Sequence, residues 1–191
     1  MSNITKAALG NSLKNILKNK PLDKVTISDI TNDCGVNRMT FYYHFQDIYD
    51  LVEWVCVNDA EKALDGKQIY DNWQEGMLNI LNLMLENKNF VLNVYHSVSR
   101  EYLDKYVYRL TGALFLDVVT KLCEGKDISE EDKKFIAEFY RYAFVGIVFQ
   151  WIDENMKEDP KKIIQKLDII TSGDIAGVVN RFEEKKNKEN L

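Results

Sequence analysis

The 191-residue sequence contains little proline, glycine or cysteine, and each shortage excludes a class of structure. Two prolines and nine glycines are too few for the many turns of a strand-rich fold, so the composition favours long helices. The three cysteines are widely spaced and form no CxxC pair, which argues against a disulfide framework or a metal site. We expect them to be reduced thiols in a reducing cytoplasm.

The sequence also lacks the signals of membrane insertion, secretion and catalysis. No apolar run reaches the roughly 18 residues that a transmembrane helix needs, and the first 16 residues do not resemble a signal peptide. A glycine-rich phosphate loop, an HExxH helix and a GxSxG elbow are all missing. We therefore expect a cytoplasmic protein that is not an enzyme, has no cofactor and no metal, and does not associate with membranes.

Hydrophobic residues recur at helical spacing along the whole chain, so the predicted fold class is all-α. Leu9, Leu13, Ile16 and Leu17 form one such stripe. The predicted helices cover about 5–19, 27–34, 38–45, 48–66, 72–87, two within 90–124, 130–156 and 161–170. Thr26, Asn37 and Ser129 are the expected N-caps of three of them, and Asp159-Pro160, a cap followed by proline at the first helical position, marks the start of the last. A further turn or two is expected over 174–182, followed by a charged tail, 183–190, that frays.

Charge and pattern divide the chain into a small N-terminal domain, residues 1–47, and a larger C-terminal domain, residues 48–191. Residues 1–45 carry six basic and three acidic side chains, a net charge of +3, whereas the remainder carries −8. This asymmetry is consistent with an N-terminal domain that binds a polyanion. Lysines on a solvated helix face would give the same count, so charge alone leaves both interpretations open.

Two short predicted helices, 27–34 and 38–45, are joined by a turn that contains Gly35. Such a pair is typical of the helix-turn-helix, whose second helix presents its N-terminal residues to base edges in the major groove of DNA. Val36, Phe41 and Phe45 are expected to face inward. Arginine can bind guanine in bidentate fashion and asparagine can bind adenine, so Arg38 and Asn37 are candidate base contacts. A small helical bundle without DNA binding is the alternative.

Residues 25–30 and 34–45 resemble the N-terminal domain of tetracycline-repressor (TetR) family regulators. The shared pattern is a Thr-containing helix, a Gly-Val turn, a small polar cap and then Thr-Phe-Tyr-Tyr-His-Phe. The similarity covers residues 5–56 and implies an N-terminal helix-turn-helix domain followed by a larger helical domain for ligand binding and dimerisation. It also implies that nine residues contact DNA: Thr26, Ser28, Asn37, Arg38, Met39, Thr40, Tyr42, Tyr43 and His44.

The chain departs from the family pattern at Ile48, where a lysine usually begins the fourth helix. That change removes one expected phosphate contact, which should lower affinity and flatten its salt dependence. Residues 47–51 also resemble a subgroup of regulators of dihydroxyacetone kinase operons. In that subgroup the regulator can be an activator that responds through a metabolite-sensing partner protein. The resemblance thus implies either a homodimeric repressor that a small-molecule effector releases from a palindromic DNA operator, or such an activator.

Aromatic residues of the C-terminal domain could line an effector pocket, although aromatic residues at helical spacing are usually core. The candidates are Trp73, Tyr95, Tyr102, Tyr106 and Phe115. The segment 130–156 is apolar around nearly its whole circumference, which is typical of a helix buried on more than one side. We expect a dimer interface there, with Gly146 permitting close helix approach; a deep helix in a monomeric core is the alternative. The candidate interface residues are Phe144, Val148, Trp151 and Ile152.

Overall fold

A computed structural model shows an all-helical chain and describes residues 2–64, 73–171 and 174–189. Within these ranges there are ten α-helices and one short 3-10 helix, Leu22–Lys24, between the first two. The α-helices are α1 Ser2–Ile16, α2 Ile27–Cys34, α3 Arg38–His44, α4 Ile48–Leu64, α5 Trp73–Glu86, α6 Lys88–Ser97, α7 Arg100–Leu122, α8 Glu130–Asp153, α9 Pro160–Thr171 and α10 Asp174–Glu189. The all-α prediction is confirmed.

The chain forms two compact units, and neither is a simple N-terminal or C-terminal piece. The first contains Met1–Gly66 together with Asn79–Leu103, and the second contains Lys67–Leu78 together with Asp104–Leu191. Helices α5 and α7 therefore each contribute residues to both units. The predicted domain boundary after residue 47 remains a prediction.

The core of the first unit is the apolar stripe of α1, which is buried against α2, α3 and α4. Leu9 and Leu13 are fully buried, as are Ile30 on α2 and Phe41 on α3. A buried serine, Ser12, donates its hydroxyl to the Ile30 carbonyl at 3.1 Å, which satisfies a polar group that would otherwise be costly to bury. The amphipathic pattern thus fixes how the two helices of the predicted motif rest on α1.

The core of the second unit is built from α7, α8 and α10. Its buried members are Val119, Cys123, Ile128, Ile136, Ala137, Tyr140 and Val179. The Tyr140 hydroxyl donates to the Asp174 carboxylate at 2.5 Å, and burial raises the pKa of that phenol, so it remains a neutral donor at physiological pH.

Three helix ends differ from the predicted ones. Helix α1 ends at Ile16, not at about residue 19, because residues 17–19 form a turn before Pro21. Residues 183–189, which we expected to fray, continue α10, because Lys126 binds Glu183 at 3.1 Å and Lys186 binds Asp127 at 2.5 Å. Helix α8 ends at Asp153, three residues early, because the next turn is left-handed, with φ of 59° and 51° at 155 and 156. The predicted start at Pro160 is confirmed. Predicted helix ends at 66 and 72 lie outside the described residues.

Candidate nucleic-acid interface

Helix α2 begins at a capping box that the sequence predicted only in part. The Thr26 hydroxyl accepts the Asp29 amide at 3.1 Å, and the Asp29 carboxylate accepts the Thr26 amide at 2.8 Å, so two unpaired helix donors are satisfied reciprocally. Lys20 also binds this carboxylate at 2.6 Å. The Lys20 hydrogen bond, followed by those from Thr26, lowers the pKa of Asp29 to about 2, so the capping carboxylate is ionised at neutral pH.

The turn between α2 and α3 depends on the left-handed backbone of Gly35. This residue has φ 68° and ψ 29°, a conformation that glycine adopts without the steric cost of a Cβ. The next amide, that of Val36, donates to the Thr31 carbonyl at 2.9 Å, which closes the end of α2. Gly35 therefore sets the angle at which the chain enters α3.

Helix α3 has a buried side and an exposed side, as the recognition helix of a helix-turn-helix requires. Phe41 is fully buried and Phe45 is 3% exposed, whereas Val36 is half-buried. The opposite side projects into solvent: Met39 is 76% exposed and Tyr43 83%. The Arg38 guanidinium donates to the Tyr42 hydroxyl at 3.5 Å, one helical turn away, so these two polar groups are presented together.

The nine predicted DNA contacts lie at the start of α2 and along α3 with its N-cap, and they differ in how free their polar groups are. The side-chain oxygen of Asn37 accepts from the amide and the hydroxyl of Thr40, at 2.8 and 3.0 Å. Its cap is thus confirmed, and only its NH₂ group remains to donate to a base. Thr26 is exposed but caps α2. The half-buried members are Ser28, Thr40 and His44, and the exposed ones are Asn37, Arg38, Met39, Tyr42 and Tyr43.

The start of α4 lies just after the recognition helix and carries the departure from the family pattern. Asp47 caps it, because its carboxylate accepts the Asp50 amide at 2.9 Å. Ile48 is half-buried at the first helical position, where a helix N-terminus is favourable for a phosphate group. The Lys6 ammonium group of α1 lies 5.6 Å from the ring centre of Phe45, at the end of α3. Lys6 is not among the nine predicted DNA contacts.

The predicted effector-pocket residues belong to both compact units of the chain. Tyr102 is 42% exposed and its ring lies 6.0 Å from that of Tyr49. Phe115 packs against the core of the second unit. Tyr95 and Tyr102 belong to the first unit, whereas Trp73 and Phe115 belong to the second. The side chain of Tyr106 lies outside the described residues. The predicted pocket therefore remains a prediction.

The four predicted dimer residues differ in how far their own chain covers them. Trp151 and Ile152 are 3% and 4% exposed, and the Trp151 indole donates to the Glu158 carbonyl at 2.9 Å. Phe144 and Val148 are half-buried. A different set of α8 side chains is exposed. The sequence does not reveal this set, because a helix that is apolar all round does not indicate which side its own chain covers. This exposed α8 face comprises Phe135, Phe139, Tyr142 and Gly146.

The described residues contain neither a group of metal ligands nor a membrane-spanning helix. Among residues 2–64, 73–171 and 174–189, no three His, Cys, Asp or Glu side chains are grouped so that they could hold a metal ion. Within the same ranges, no helix has both the length and the hydropathy to span a bilayer.

Sequence and structure comparisons agree on a regulator. The family model described as the C-terminal region of transcriptional regulators matches residues 71–173, more than half of the chain, and that of bacterial regulatory proteins of the tetR family matches residues 14–55. The HTH-type dhaKLM operon transcriptional activator DhaS of Lactococcus lactis subsp. lactis (strain IL1403) is 27% identical over 92 residues. This match covers 48% of the chain and spans about half of that relative, 49% of its length.

Two solved structures share the fold. A dihydroxyacetone kinase operon activator, DhaS, superposes with a TM-score of 0.71 at 20% identity and covers 94% of this chain and 98% of its own. A TetR transcriptional regulator from Streptococcus agalactiae 2603V has a TM-score of 0.57 at 21% identity, with 95% of each chain covered. A capped, outward-facing recognition helix and both family matches lead to the same conclusion. The chain is a DNA-binding transcription regulator, without enzymatic activity, that belongs to the TetR family.

Proposed function

We propose that the protein acts in the cytoplasm as a homodimer that binds a palindromic DNA operator through α3 of each subunit. The observation that supports this most directly is the exposed side of α3, where Arg38 and Tyr42 are presented one turn apart. A bidentate arginine specifies guanine, whereas a tyrosine hydroxyl is suited to a phosphate oxygen that fixes register. The net charge of +3 over residues 1–45 favours approach to the polyanion.

The exposed α8 face supports the dimer. Phe135 and Phe139 are 63% and 61% exposed, and two large aromatic side chains one turn apart are costly to leave in water. Gly146 continues the same side two turns later. Apart from its chain neighbours and the backbone of its own helix, no atom of the described residues lies within 4 Å of an added Cβ there. The face therefore has aromatic side chains to bury and a position at which a second helix could approach closely.

Operator binding by purified variants tests the recognition helix. The operator would first be selected from a random-sequence duplex pool with the wild-type protein, and affinities would then be measured by mobility shift. We expect Arg38→Ala and Tyr42→Ala each to weaken binding by about 1 to 3 kcal/mol, the usual cost of one base or phosphate contact. Circular dichroism should show unchanged helix content in both, because neither side chain is part of the core.

The matched control is Lys157→Ala, which removes one positive charge from an exposed residue after α8. It should leave affinity unchanged at a fixed salt concentration. If both α3 variants bind as tightly as the wild type, α3 is not the recognition helix.

For the sign of regulation, we propose a repressor that a small-molecule effector releases from DNA. A ligand that favours one separation of the two recognition helices would shift the population between bound and free forms. A stoichiometric small molecule retained by the purified protein, and identified by mass spectrometry after denaturation, would support this proposal. Loss of operator binding when that compound is added in excess is the expected result.

A second candidate is an activator of a dihydroxyacetone kinase type operon that acts through a metabolite-sensing partner protein. The relatives named as activators of such operons favour it. Transcription in vitro from a promoter carrying the selected operator separates the two: the repressor lowers transcript yield, and the activator raises it. An activator should also retain a stoichiometric partner protein, rather than a small molecule, when isolated from its own cells.

A further inference from the structure

The end of α1 and the start of the following 3-10 helix each leave one backbone group unpaired, and Pro21 is the reason. The carbonyl of Leu17 would normally accept from the amide four residues later, but that residue is Pro21, which has no N–H. The Leu22 amide begins the 3-10 helix Leu22–Lys24, and its N-cap, Pro21, provides no side-chain hydrogen bond. The Leu17 carbonyl and the Leu22 amide therefore need hydrogen-bond partners from another part of the chain.

One side chain on α6 satisfies both groups. The Asn93 amide donates to the Leu17 carbonyl at 2.8 Å, and its side-chain oxygen accepts from the Leu22 amide at 3.2 Å. Leu17 and Leu22 are 1% and 3% exposed as whole residues, and both hydrogen bonds are partly buried. We call this pair of hydrogen bonds the Asn93 bridge.

The Asn93 bridge joins the DNA-binding helices to a segment that is distant in sequence. Residues 79–103, which include α6, belong to the same compact unit as α1–α4. The segment is continuous with the second unit along the chain on both sides, through α5 and α7. The bridge ends on the connection that leads into α2, so it attaches α6 to the chain just before the helix-turn-helix.

We propose that Asn93 is a positioning residue that fixes the helix-turn-helix on α6 and thereby sets the separation of the two recognition helices in the dimer. It contacts no DNA in this role. An amide is required because the bridge needs one donor and one acceptor on the same side chain. The expected effect of Asn93 on DNA binding rests on the proposed dimeric function. The two hydrogen bonds of the Asn93 bridge do not depend on that proposal.

The test compares operators with different spacing between the half-sites. For the wild type, affinity for the selected operator is divided by affinity for the same operator with two base pairs inserted at its centre. In Asn93→Leu, which removes both hydrogen bonds, we expect this ratio to fall by about tenfold, the scale of two lost hydrogen bonds. A role confined to stability would lower both affinities alike and leave the ratio unchanged.

The control is Asn89→Ala, one turn earlier on α6. Asn89 and Asn93 line the same open cavity of about 490 Å³, which also gives a leucine at position 93 room. Asn89 is exposed, so its variant should keep the wild-type ratio. Amide hydrogen exchange at Leu22 should accelerate about tenfold in Asn93→Leu and not in Asn89→Ala.

The possible results are distinguishable. An unchanged spacing ratio in Asn93→Leu, with a wild type that discriminates between spacings, overturns the positioning role. Unchanged Leu22 exchange overturns the bridge. A wild type without spacing preference contradicts the dimeric function instead, and the bridge is then judged by Leu22 exchange. If Asn93→Leu does not fold, Asn93→Asp, which keeps only the acceptor, is measured in the same way.

Discussion

Individual residues decide how closely the helices of the DNA-binding unit approach each other. Gly10 lies in the middle of α1, where glycine is a poor helix former. A Cβ at this position would lie 2.8 Å from Cγ2 of Val55 and 3.3 Å from Cζ3 of Trp54. The sequence shows only a glycine inside a helical stripe; it does not show which residue of α4 lies against it. The partner of Asn93 is equally hard to predict. Pro21 indicates that the Leu17 carbonyl lacks its helical donor, but the sequence does not show that Asn93 is the donor.

We predict that Gly10→Ala destabilises the protein. Alanine gains about 1 kcal/mol of helix propensity, but overpacking against Val55 costs about 1 to 3 kcal/mol, so a net loss of about 1 kcal/mol is expected. Chemical denaturation measures it. Gly177→Ala in α10 is the control, since its added Cβ would meet only the flexible end of Arg181 at 3.4 Å, and it should be neutral or stabilising. Equal stabilisation in both variants would contradict the close approach.

At the scale of helices, the local signals were sufficient wherever short-range chemistry decides a boundary. The caps at Thr26, Asn37 and Ser129 and the start at Pro160 were predicted and are confirmed. The length of α10 was not predicted, because its last turns depend on ion pairs with residues 126 and 127, which are distant in sequence. The recognition helix was predictable because its motif is local, whereas the exposed α8 face depends on tertiary packing.

The start of α4 offers a gain-of-function prediction. Ile48→Lys restores the cation that the family usually has at this position, so operator affinity should rise. The slope of log affinity against log salt should steepen by about 0.9, the value for one additional phosphate contact. Mobility-shift titrations at several salt concentrations measure both effects. The control is Ile48→Gln, which has a similar length but no charge and should leave the slope unchanged. If Ile48→Lys also has the wild-type slope, the start of α4 does not reach the DNA phosphates.

For the molecule as a whole, the proposed binding to a palindromic operator requires two copies of the chain. A basic N-terminal segment and an acidic remainder, +3 against −8, direct one part of each subunit to DNA and keep the rest away from it. Two of the four dimer contacts predicted from the sequence, Trp151 and Ile152, are buried in their own chain, and the other two, Phe144 and Val148, are half-buried. The dimer proposal therefore now depends on the exposed α8 face, and it remains a prediction.

We predict that Gly146→Ala has opposite effects on the stability of one subunit and on the affinity of the dimer. Within the part of the chain that the structure describes, the new methyl group meets no atom beyond its own helix within 4 Å, so helix propensity alone should stabilise the subunit by about 0.5 to 1 kcal/mol. If a second α8 crosses at this position, the same methyl group should weaken dimerisation about tenfold, an overpacking cost of about 1.4 kcal/mol. Sedimentation over a concentration series measures the dimer. A dimer as tight as the wild type would place the interface elsewhere.

The most direct test of the central claim is a base-by-base interference footprint of the wild-type protein on its selected operator. Modification of guanine N7 marks contacts in the major groove, and modification of adenine N3 marks contacts in the minor groove. Two α3 helices in a symmetric dimer predict two patches of major-groove interference, related by two-fold symmetry and separated by about 34–36 Å or a whole multiple of it. A single patch, or interference confined to the minor groove, would contradict the account.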